Sequence, residues 1–166
     1  MYYKISDFEK DWNAEREGTL KVLNNLTDES LKQRVYSEGR TLGFLAWHVT
    51  TSIGEMLSKV GIKTDSPAED SPIPESASAI KEAYEKASKS VVDEITKNWT
   101  DETLLQEDDM YGQMWQRGQT LGILVVHEIH HRGQMTVLMR QAGLNVPGLC
   151  GPSKEEWAQY GMPALP

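Results

Sequence analysis

One short sequence occurs twice in this chain, and each copy ends on a histidine. Residues 41–48 read TLGFLAWH and residues 120–127 read TLGILVVH, so Thr, Leu, Gly, Leu and His recur in register. The second copy continues as EIHHRGQ, which places His131 four residues after His127. If the repeat reflects a two-fold pairing of two similar helices, His48 lies close to His127 across a shared interior.

Four long segments have the apolar spacing that is typical of amphipathic helices. They run from about Ser6 to Leu26, from Thr41 to Val60, from Ala77 to Trp99 and from Thr120 to Gln141. Ser6 followed by Glu9 predicts a capping box at the start of the first helix. Gly61 and Gly143 predict the ends of the second and fourth helices, because glycine readily adopts the left-handed conformation found there.

The remaining segments read as connections. All seven prolines lie in residues 67–74 or in the C-terminal tail, so none interrupts a predicted helix. Residues 64–76 predict a crossing loop, residues 100–118 a short hairpin or an ordered loop, and residues 154–158 one helical turn. We therefore predict a single all-α domain over residues 1–166, an antiparallel four-helix bundle with a long crossing loop and an irregular tail.

Charge and hydropathy narrow the possible partners. The formal net charge is −8 and the lysines and arginines are scattered, which argues against binding to nucleic acid or to an anionic membrane. No segment reaches the roughly 20 apolar residues of a membrane span, and the first residues do not resemble a signal peptide. The single cysteine, Cys150, excludes an internal disulfide and fits a reducing compartment. We expect a cytoplasmic protein.

The histidines predict a metal site. His127 and His131 lie one helical turn apart, with Cβ atoms about 5–6 Å from each other, so both imidazoles can bind one ion. His48 supplies a third nitrogen if the two similar helices pair. A lone histidine on an apolar helix is more often a hydrogen-bonded core residue. Three of the four histidines within five residues, and the fourth aligned with one of them by the repeat, favour a metal instead.

The ligand set indicates the kind of metal. Three neutral nitrogens without a thiolate suit zinc, nickel, iron or copper rather than calcium or magnesium. Three protein ligands also leave positions open for water or substrate, which is typical of a catalytic site. Ser52 and Glu55 follow His48 on its helix. Ser52 is predicted to line a pocket, and Glu55, about 10.5 Å along the axis and too far away to share the ion, is predicted to be solvated or part of the pocket wall.

Structural rather than chemical roles are predicted for several other residues. His130 lies on a different stripe of the fourth helix and is predicted to be a packing or interface residue. That stripe comprises Ile123, Val126, Gly133 and Val137. Cys150 has no neighbouring base in the sequence, so a nucleophilic role is not expected. Packing roles are expected for three aromatic residues, one of which, Trp115, could border a cleft. These are Trp47, Tyr111 and Trp115.

A competing motif overlaps the same helix. His127-Glu128-Ile129-His130-His131 satisfies H-E-x-x-H, the zinc-protease pattern in which the glutamate is the general base. Glu155 or Glu156 could then serve as a third ligand. The protease interpretation is the weaker one, because the chain lacks the expected sheet and His48 is left unexplained. In a bundle, Glu128 is expected to be a carboxylate behind the ligands or on the surface.

The combined motifs resemble the DinB family of bacterial metal-binding four-helix bundles. They are His127 with the following His131-Arg132-Gly133-Gln134, the pair Trp47-His48, and the tail segments 146–148 (VPG) and 151–153 (GPS). The resemblance spans nearly the whole chain. It implies a nickel or zinc site formed by His48, His127 and His131, in a protein that often forms a homodimer. Relatives include bacillithiol-dependent S-transferases and mycothiol-dependent isomerases, and the family is named for induction by DNA damage.

Two reactions and one non-enzymatic role stay open at this point. A bound metal could activate water, which predicts a hydrolase, or could hold the sulfur of a low-molecular-weight thiol, which predicts an S-transferase. Either enzyme would act on a small molecule, in stress or detoxification. The alternative is a non-catalytic metal-binding protein of the stress or DNA-damage response. The sequence identifies neither the substrate nor a catalytic residue.

Overall fold

The computed structural model describes residues 1–164 and contains four long helices. They are α1 (Ile5–Asn24), α2 (Leu42–Ser58), α3 (Ala77–Asn98) and α4 (Arg117–Gln141). Two short strands, β1 (Glu107–Met110) and β2 (Gln113–Gln116), form an antiparallel hairpin before α4. Short 3-10 helices occupy three further stretches, Ser30–Lys32, Asp101–Leu105 and Trp157–Tyr160. The predicted four-helix architecture and the hairpin are confirmed.

Contacts near the helix ends fix the direction of α3 relative to α1. The Ile5 backbone N–H, at the start of α1, donates to Asp101 Oδ1 at 2.8 Å, just beyond the end of α3. The Ala77 backbone N–H, at the start of α3, donates to Asp28 Oδ1 at 2.8 Å, just beyond the end of α1. The two helices are therefore antiparallel, and each begins on a carboxylate supplied by the other end of its neighbour.

Helix α4 runs parallel to α1 and antiparallel to α2. Tyr2 N–H donates to the Gly118 carbonyl at 2.9 Å where α1 and α4 begin, and Asn25 Nδ2 donates to the Asn145 carbonyl at 3.2 Å where they end. Across α2 and α4, Leu45 and Leu138 line one cavity, whereas Glu55 and Ile123 line another. The long crossing loop between Ser58 and Ala77 thus returns the chain so that α2 and α3 point the same way.

The beginnings of α1 and α2 show different capping. Thr41 is the N-cap of α2, and its hydroxyl accepts a hydrogen bond from Phe44 N–H at 2.9 Å. The capping box predicted at Ser6 is wrong. Helix α1 begins one residue earlier, with Lys4 as an N-cap that makes no side-chain bond. The Asp101 carboxylate takes over that function from a distant part of the chain.

Two glycines end helices as predicted. Gly61 has φ +79° and Gly143 has φ +76°, both in the left-handed region. Beyond each glycine the chain bonds back to the last turn, from Ile62 N–H to the Leu57 carbonyl and from Leu144 N–H to the Met139 carbonyl, each at 2.9 Å. This is the Schellman pattern, which satisfies carbonyls that the helix leaves without a partner.

The core lies between the four helices and contains the apolar stripes read from the sequence. Trp12 on α1 is fully buried, and its indole N–H donates to the Ser88 carbonyl of α3 at 2.9 Å. Every predicted stripe position on α3 is buried. These positions are Ile80, Tyr84, Ala87, Val91, Ile95 and the adjacent Trp99. Among the described residues, no helix combines the length and the hydropathy needed to span a membrane.

The C-terminal tail differs in detail from its prediction. Its 3-10 helix covers Trp157–Tyr160 rather than residues 154–158. The stretch before it is a turn, held by Glu156, whose carboxylate accepts from Gly148 N–H at 2.9 Å and from Ser153 N–H at 3.0 Å. Those bonds shift the helical turn toward the C-terminus, because residues 153–156 must curve back to meet residue 148.

Candidate metal centre

Three imidazole rings meet between α2 and α4. His48 lies on α2, and His127 and His131 lie one turn apart on α4. The ring centroids are 5.0 Å apart for His48 and His127, 4.7 Å for His48 and His131, and 4.5 Å for His127 and His131. Each ring offers one nitrogen, and the three nitrogens lie within 4.8 Å of one another. The three histidines singled out in the sequence form one cluster that could hold a metal ion.

The helix register explains this convergence. Because α2 and α4 are antiparallel neighbours, the middle of α2 faces the middle of α4. Residues three or four positions apart share a helical face, and the residues that accompany the histidines on these faces are buried. They include Leu45 on α2, and Leu124, Met135 and Leu138 on α4. Burying these apolar side chains carries the histidines inward with them.

The spacing of two of the nitrogens fits a shared ion. Nε2 of His48 lies 3.2 Å from Nε2 of His127. Two nitrogens that each lie about 2.05 Å from one metal are about 2.9 Å apart at a right angle and about 3.4 Å apart at a tetrahedral angle. The observed separation falls between these values. The donor set, three imidazoles without a thiolate, is also one that transition metals accept.

Hydrogen bonds orient two of the rings so that Nε2 carries the free lone pair. Gln134 Oε1 lies 2.7 Å from Nδ1 of His131, and because this oxygen only accepts, Nδ1 must donate. The Ser52 hydroxyl donates to the His48 carbonyl at 2.6 Å, which leaves its oxygen free to accept from Nδ1 of His48 at 3.4 Å. In most metal-binding histidines, one ring nitrogen donates a hydrogen bond to a neighbouring group. That bond fixes the tautomer, so the other ring nitrogen has a free lone pair for the metal.

All three imidazoles are neutral at physiological pH. Burial lowers the pKa of His127 to about 4, with further lowering from His131 and His48. Burial also lowers the pKa of His48, and repulsion from His131 and Arg40 adds to this effect. For His131, burial lowers the pKa while the hydrogen bond to Gln134 opposes the shift. No proton therefore has to leave these nitrogens before they bind a metal.

Glu128 does not face the histidine cluster. Its carboxylate is only 2% exposed, and Oε1 accepts from the hydroxyl of Tyr84 on α3 at 2.6 Å and from that of Thr19 on α1 at 2.7 Å. The expectation of a surface carboxylate is wrong, because the side chain is directed into the interior between α1 and α3. Glu128 is thus not placed to act as the general base of an H-E-x-x-H protease.

The tail carboxylates are also engaged elsewhere. Glu155 forms an ion pair with Arg140, and Glu156 accepts the two backbone N–H groups of the tail turn. Within residues 1–164, the group of potential metal ligands contains the three histidines and no carboxylate. The third ligand that the protease interpretation needs from the tail is therefore not in place.

A cavity of about 280 Å³ opens beside the cluster. Its lining includes His48, His127, Ser52 and Glu55, as predicted for the last two, together with Tyr111 from the hairpin. Glu55 Oε2 accepts a hydrogen bond from the Tyr111 hydroxyl at 2.6 Å, and Glu55 Oε1 lies 3.3 Å from the ammonium of Lys59. Ligands bound at the histidines would extend into this space.

The other predicted residues have mostly structural environments. His130 is exposed, and its ring lies edge-on to that of His131, with centroids 4.9 Å apart. Trp47 is buried, and its indole N–H donates to the Ser71 carbonyl of the crossing loop at 3.1 Å. Trp115 is half-buried, and Cys150 is exposed. These positions agree with the packing roles expected for the two tryptophans.

The roles of two site residues were not predicted from the sequence. Gln134 orients His131, and its position three residues further along the same helix is the signal that could have revealed it. Tyr111 was expected to be a packing residue, yet it is 57% exposed and contacts Glu55 at the rim of the cavity. Its contribution depends on the hairpin folding back over α2, which no local spacing in the sequence encodes.

Comparison with known proteins agrees with this architecture. YrdA, an uncharacterized protein of Bacillus subtilis (strain 168), is 48% identical over 164 residues, which are 99% of this chain and 98% of YrdA. The crystal structure of a DinB-like protein from Bacillus cereus has a TM-score of 0.86 at 44% identity, covering 89% of this chain and 99% of that chain. YjoA, a DinB-like protein from Bacillus subtilis, shares the fold, with a TM-score of 0.66 at 19% identity over 86% of this chain and 97% of its own.

The family assignment rests on nearly the entire sequence. The model of the DinB family matches residues 1–162. That range contains all four helices, the hairpin and the three clustered histidines. The chain belongs to the DinB family.

Proposed function

We propose that this protein binds one nickel or zinc ion through His48, His127 and His131 and acts as a metal-dependent enzyme on a small molecule. One observation carries the proposal: the three imidazole nitrogens lie within 4.8 Å of one another. The hydrogen bonds that Nδ1 of His48 and His131 donate to Ser52 and Gln134 support it, because they leave Nε2 of two rings free to bind.

The reaction is an S-transfer from a low-molecular-weight thiol or the hydrolysis of a small substrate. A divalent ion at the cluster would supply Lewis acidity toward a thiol sulfur or a water molecule. The three histidines would hold the ion, Ser52 and Gln134 would orient two of them, and the adjacent cavity of about 280 Å³ would admit the substrate. This volume is near the lower end of the roughly 300–1,000 Å³ of small-molecule sites.

Metal analysis of the purified protein tests the site. The wild type should carry close to one nickel or zinc ion per chain, and His48→Ala, His127→Ala and His131→Ala should each lose most of it, because two imidazoles bind far more weakly than three. His130→Ala is the matched control, since this histidine is exposed on the same helix. Full occupancy in all three cluster variants, measured by elemental analysis, would rule out the assignment.

Turnover experiments separate the candidate reactions. Consumption of an electrophile that requires both the metal and a low-molecular-weight thiol would identify an S-transferase. Metal-dependent cleavage of an ester or amide without thiol would identify a hydrolase. Metal loading that raises thermal stability while no substrate is turned over would favour the non-catalytic binding protein.

The outer face of α4 supports a proposal about assembly. Apolar residues on this face are exposed, with Ile123 at 38%, Val126 at 59% and Val137 at 54%. Together with His130 and Gly133 they recur at alternating spacings of three and four residues, which is the pattern of a helix–helix seam. We propose that this face pairs with the same face of a second copy to form a homodimer.

A further inference from the structure

Tyr111 adopts a backbone conformation that is unusual for its residue type. It is the first residue of the hairpin turn and has φ +60°, followed by Gly112 with φ +82°. Two consecutive positive φ values indicate a type I′ turn, whose first position favours Asn, Asp or Gly. An aromatic residue in the left-handed region is strained, and such strain persists only where the surrounding contacts hold it.

The contacts of Tyr111 join the hairpin to α2. Its hydroxyl donates to Glu55 Oε2 at 2.6 Å, and the Lys59 ammonium lies 5.0 Å from the centre of its ring. The ring also lies edge-on to Trp115, with centroids 6.0 Å apart. The tip of the hairpin is thereby fixed against α2, at the rim of the cavity that reaches His48 and His127.

The polar groups that Glu55 and Tyr111 present to the cavity are hydrogen-bond acceptors. The single hydroxyl hydrogen of Tyr111 is used by Glu55, so only lone pairs of the phenol oxygen remain available. Glu55 has one contact on each oxygen, whereas a carboxylate has about four acceptor positions. Glu69, from the crossing loop, adds a second carboxylate to the lining. The Lys59 ammonium, 3.3 Å from Glu55 Oε1, offsets part of this negative charge but is not itself in the lining.

The apolar part of the cavity restricts the approach of a ligand. Met56 is buried and Ile123 is partly exposed, and both contribute to the lining. A small ligand attached at the histidine cluster would pass these side chains and reach Glu55 and Tyr111 with its other end. A cation is favoured there, because it meets a carboxylate and the oxygen of a phenol in a partly desolvated space.

We propose that Glu55 and Tyr111 determine ligand specificity at the metal centre and select small molecules that carry a cationic group beyond the metal-binding atom. Glu55 supplies the negative charge, and Tyr111 is a positioning residue that holds the carboxylate toward the cavity. The inference rests on the proposed function, since it requires a metal at the three histidines.

The test compares two thiols of nearly identical shape. Thiocholine carries a trimethylammonium group, and 3,3-dimethylbutane-1-thiol replaces its nitrogen by carbon, so the two differ in charge and neither can chelate through nitrogen. Each is titrated into protein loaded with cobalt(II), and binding is followed by the sulfur-to-cobalt charge-transfer absorption. After correction for the greater acidity of its thiol, thiocholine should bind the wild type about twofold to fivefold more tightly, the range expected of one partly exposed charge pair.

Three variants and one control test whether Glu55 and Tyr111 cause the preference for thiocholine. Glu55→Gln should reduce the affinity ratio toward one, because it removes the charge and keeps the shape. Tyr111→Phe and Tyr111→Asn should each reduce the ratio as well, since Glu55 then keeps its contact with the Lys59 ammonium but loses the hydrogen bond that holds it toward the cavity. Tyr111→Asn also relieves the strain at the turn, so an undiminished melting temperature in that variant would exclude a merely structural effect. Glu82→Gln, on an exposed part of α3, should leave the ratio unchanged.

The outcomes separate the two proposals. Cobalt content is measured before each titration, and a chain that does not load the ion removes both the proposed function and this inference. If cobalt binds and both thiols bind the wild type equally, only the selectivity is wrong. A preference that Glu55→Gln leaves intact would likewise overturn the assignment to this residue.

Discussion

The two oxygens of the Glu128 carboxylate have different surroundings. Oε1 receives hydrogen bonds from Tyr84 and Thr19, whereas no hydrogen bond from residues 1–164 reaches Oε2. Burial raises the pKa of this carboxyl, and the two hydroxyl donors oppose the shift. Arg132, one turn further along α4, donates to the Thr19 hydroxyl at 3.3 Å and to the Glu15 carbonyl at 2.7 Å. These polar groups join α4 to α1 and α3.

Removing one of these donors should destabilise the fold. In Tyr84→Phe, Glu128 Oε1 loses the hydrogen bond of 2.6 Å, and a buried acceptor keeps only Thr19 as its partner. We expect the free energy of unfolding to fall by about 1–3 kcal/mol, as is usual for a buried hydrogen bond to a carboxyl group. Denaturant unfolding measures this change.

A second tyrosine provides the control. Tyr3 is 63% exposed, so Tyr3→Phe should change the free energy of unfolding by no more than about 0.5 kcal/mol. Equal stabilities of Tyr84→Phe and Tyr3→Phe would show that the Tyr84 hydroxyl contributes nothing to the buried network.

At the level of single residues, the sequence is informative where spacing is local. His127 and His131 share a helical face by their separation of four residues, and the repeat pointed to His48. The direction of Glu128 was not predictable in the same way. It lies next to His127 in the sequence, but its side chain is rotated about 100° around the helix, toward partners on α1 and α3.

The two copies of the repeat lie at different positions in their helices, α2 and α4. Thr41 caps α2, whereas its counterpart Thr120 lies inside α4, which begins at Arg117. The repeated glycines do share a role, because each allows another segment to approach closely. A Cβ atom would lie 3.1 Å from Leu31 at Gly43 and 3.0 Å from the Met1 nitrogen at Gly122.

The end of α4 should be sensitive to the loss of its terminal glycine. Gly143 has φ +76° and no atom within 4 Å of a Cβ added there, so Gly143→Ala introduces backbone strain without a steric clash. We expect a loss of about 1–2 kcal/mol in the free energy of unfolding. Gly151→Ala is the matched control, because that glycine is equally open and lacks a positive φ. Identical melting temperatures for the two variants would contradict this account.

The helices themselves were predictable, but their beginnings were only partly so. Thr41 acts on its own helix, and such a cap can be read from neighbouring residues. The donors at the beginnings of α1 and α3 bond instead to Asp101 and Asp28, which are 96 and 49 residues away in the sequence. Only the packed fold brings these carboxylates to the helix ends, and a local pattern such as Ser6 with Glu9 is then not used.

For the whole molecule, the relative direction of α2 and α3 depended on the crossing loop between them. A loop as long as the one before α3 can return the chain in either sense, so the parallel pairing of α2 and α3 was not determined by helical periodicity. The apolar stripes indicated a bundle because burying them is the main source of its stability. They did not determine which helices are neighbours.

The homodimer proposal predicts the mass of the protein in solution. The wild type should have twice the chain mass of 18.7 kDa, and Val126→Glu should have the monomer mass, because the charge would be buried in the apolar seam. Leu105→Glu is the control, an exposed apolar residue (52%) outside α4. Light scattering after size exclusion measures both, and a monomeric wild type at micromolar concentration would end the proposal.

The distribution of the histidines along the chain has a consequence during synthesis. His48 precedes His127 by 79 residues, and at about 5–20 residues per second the ribosome needs roughly 4–16 s to add the intervening segment. The nascent polypeptide thus carries one imidazole of the cluster for several seconds and then acquires the other two cluster members, His127 and His131, almost simultaneously. A metal ion would therefore bind only after α4 has been translated. Whether that ion is nickel or zinc would depend on the affinities of the completed domain.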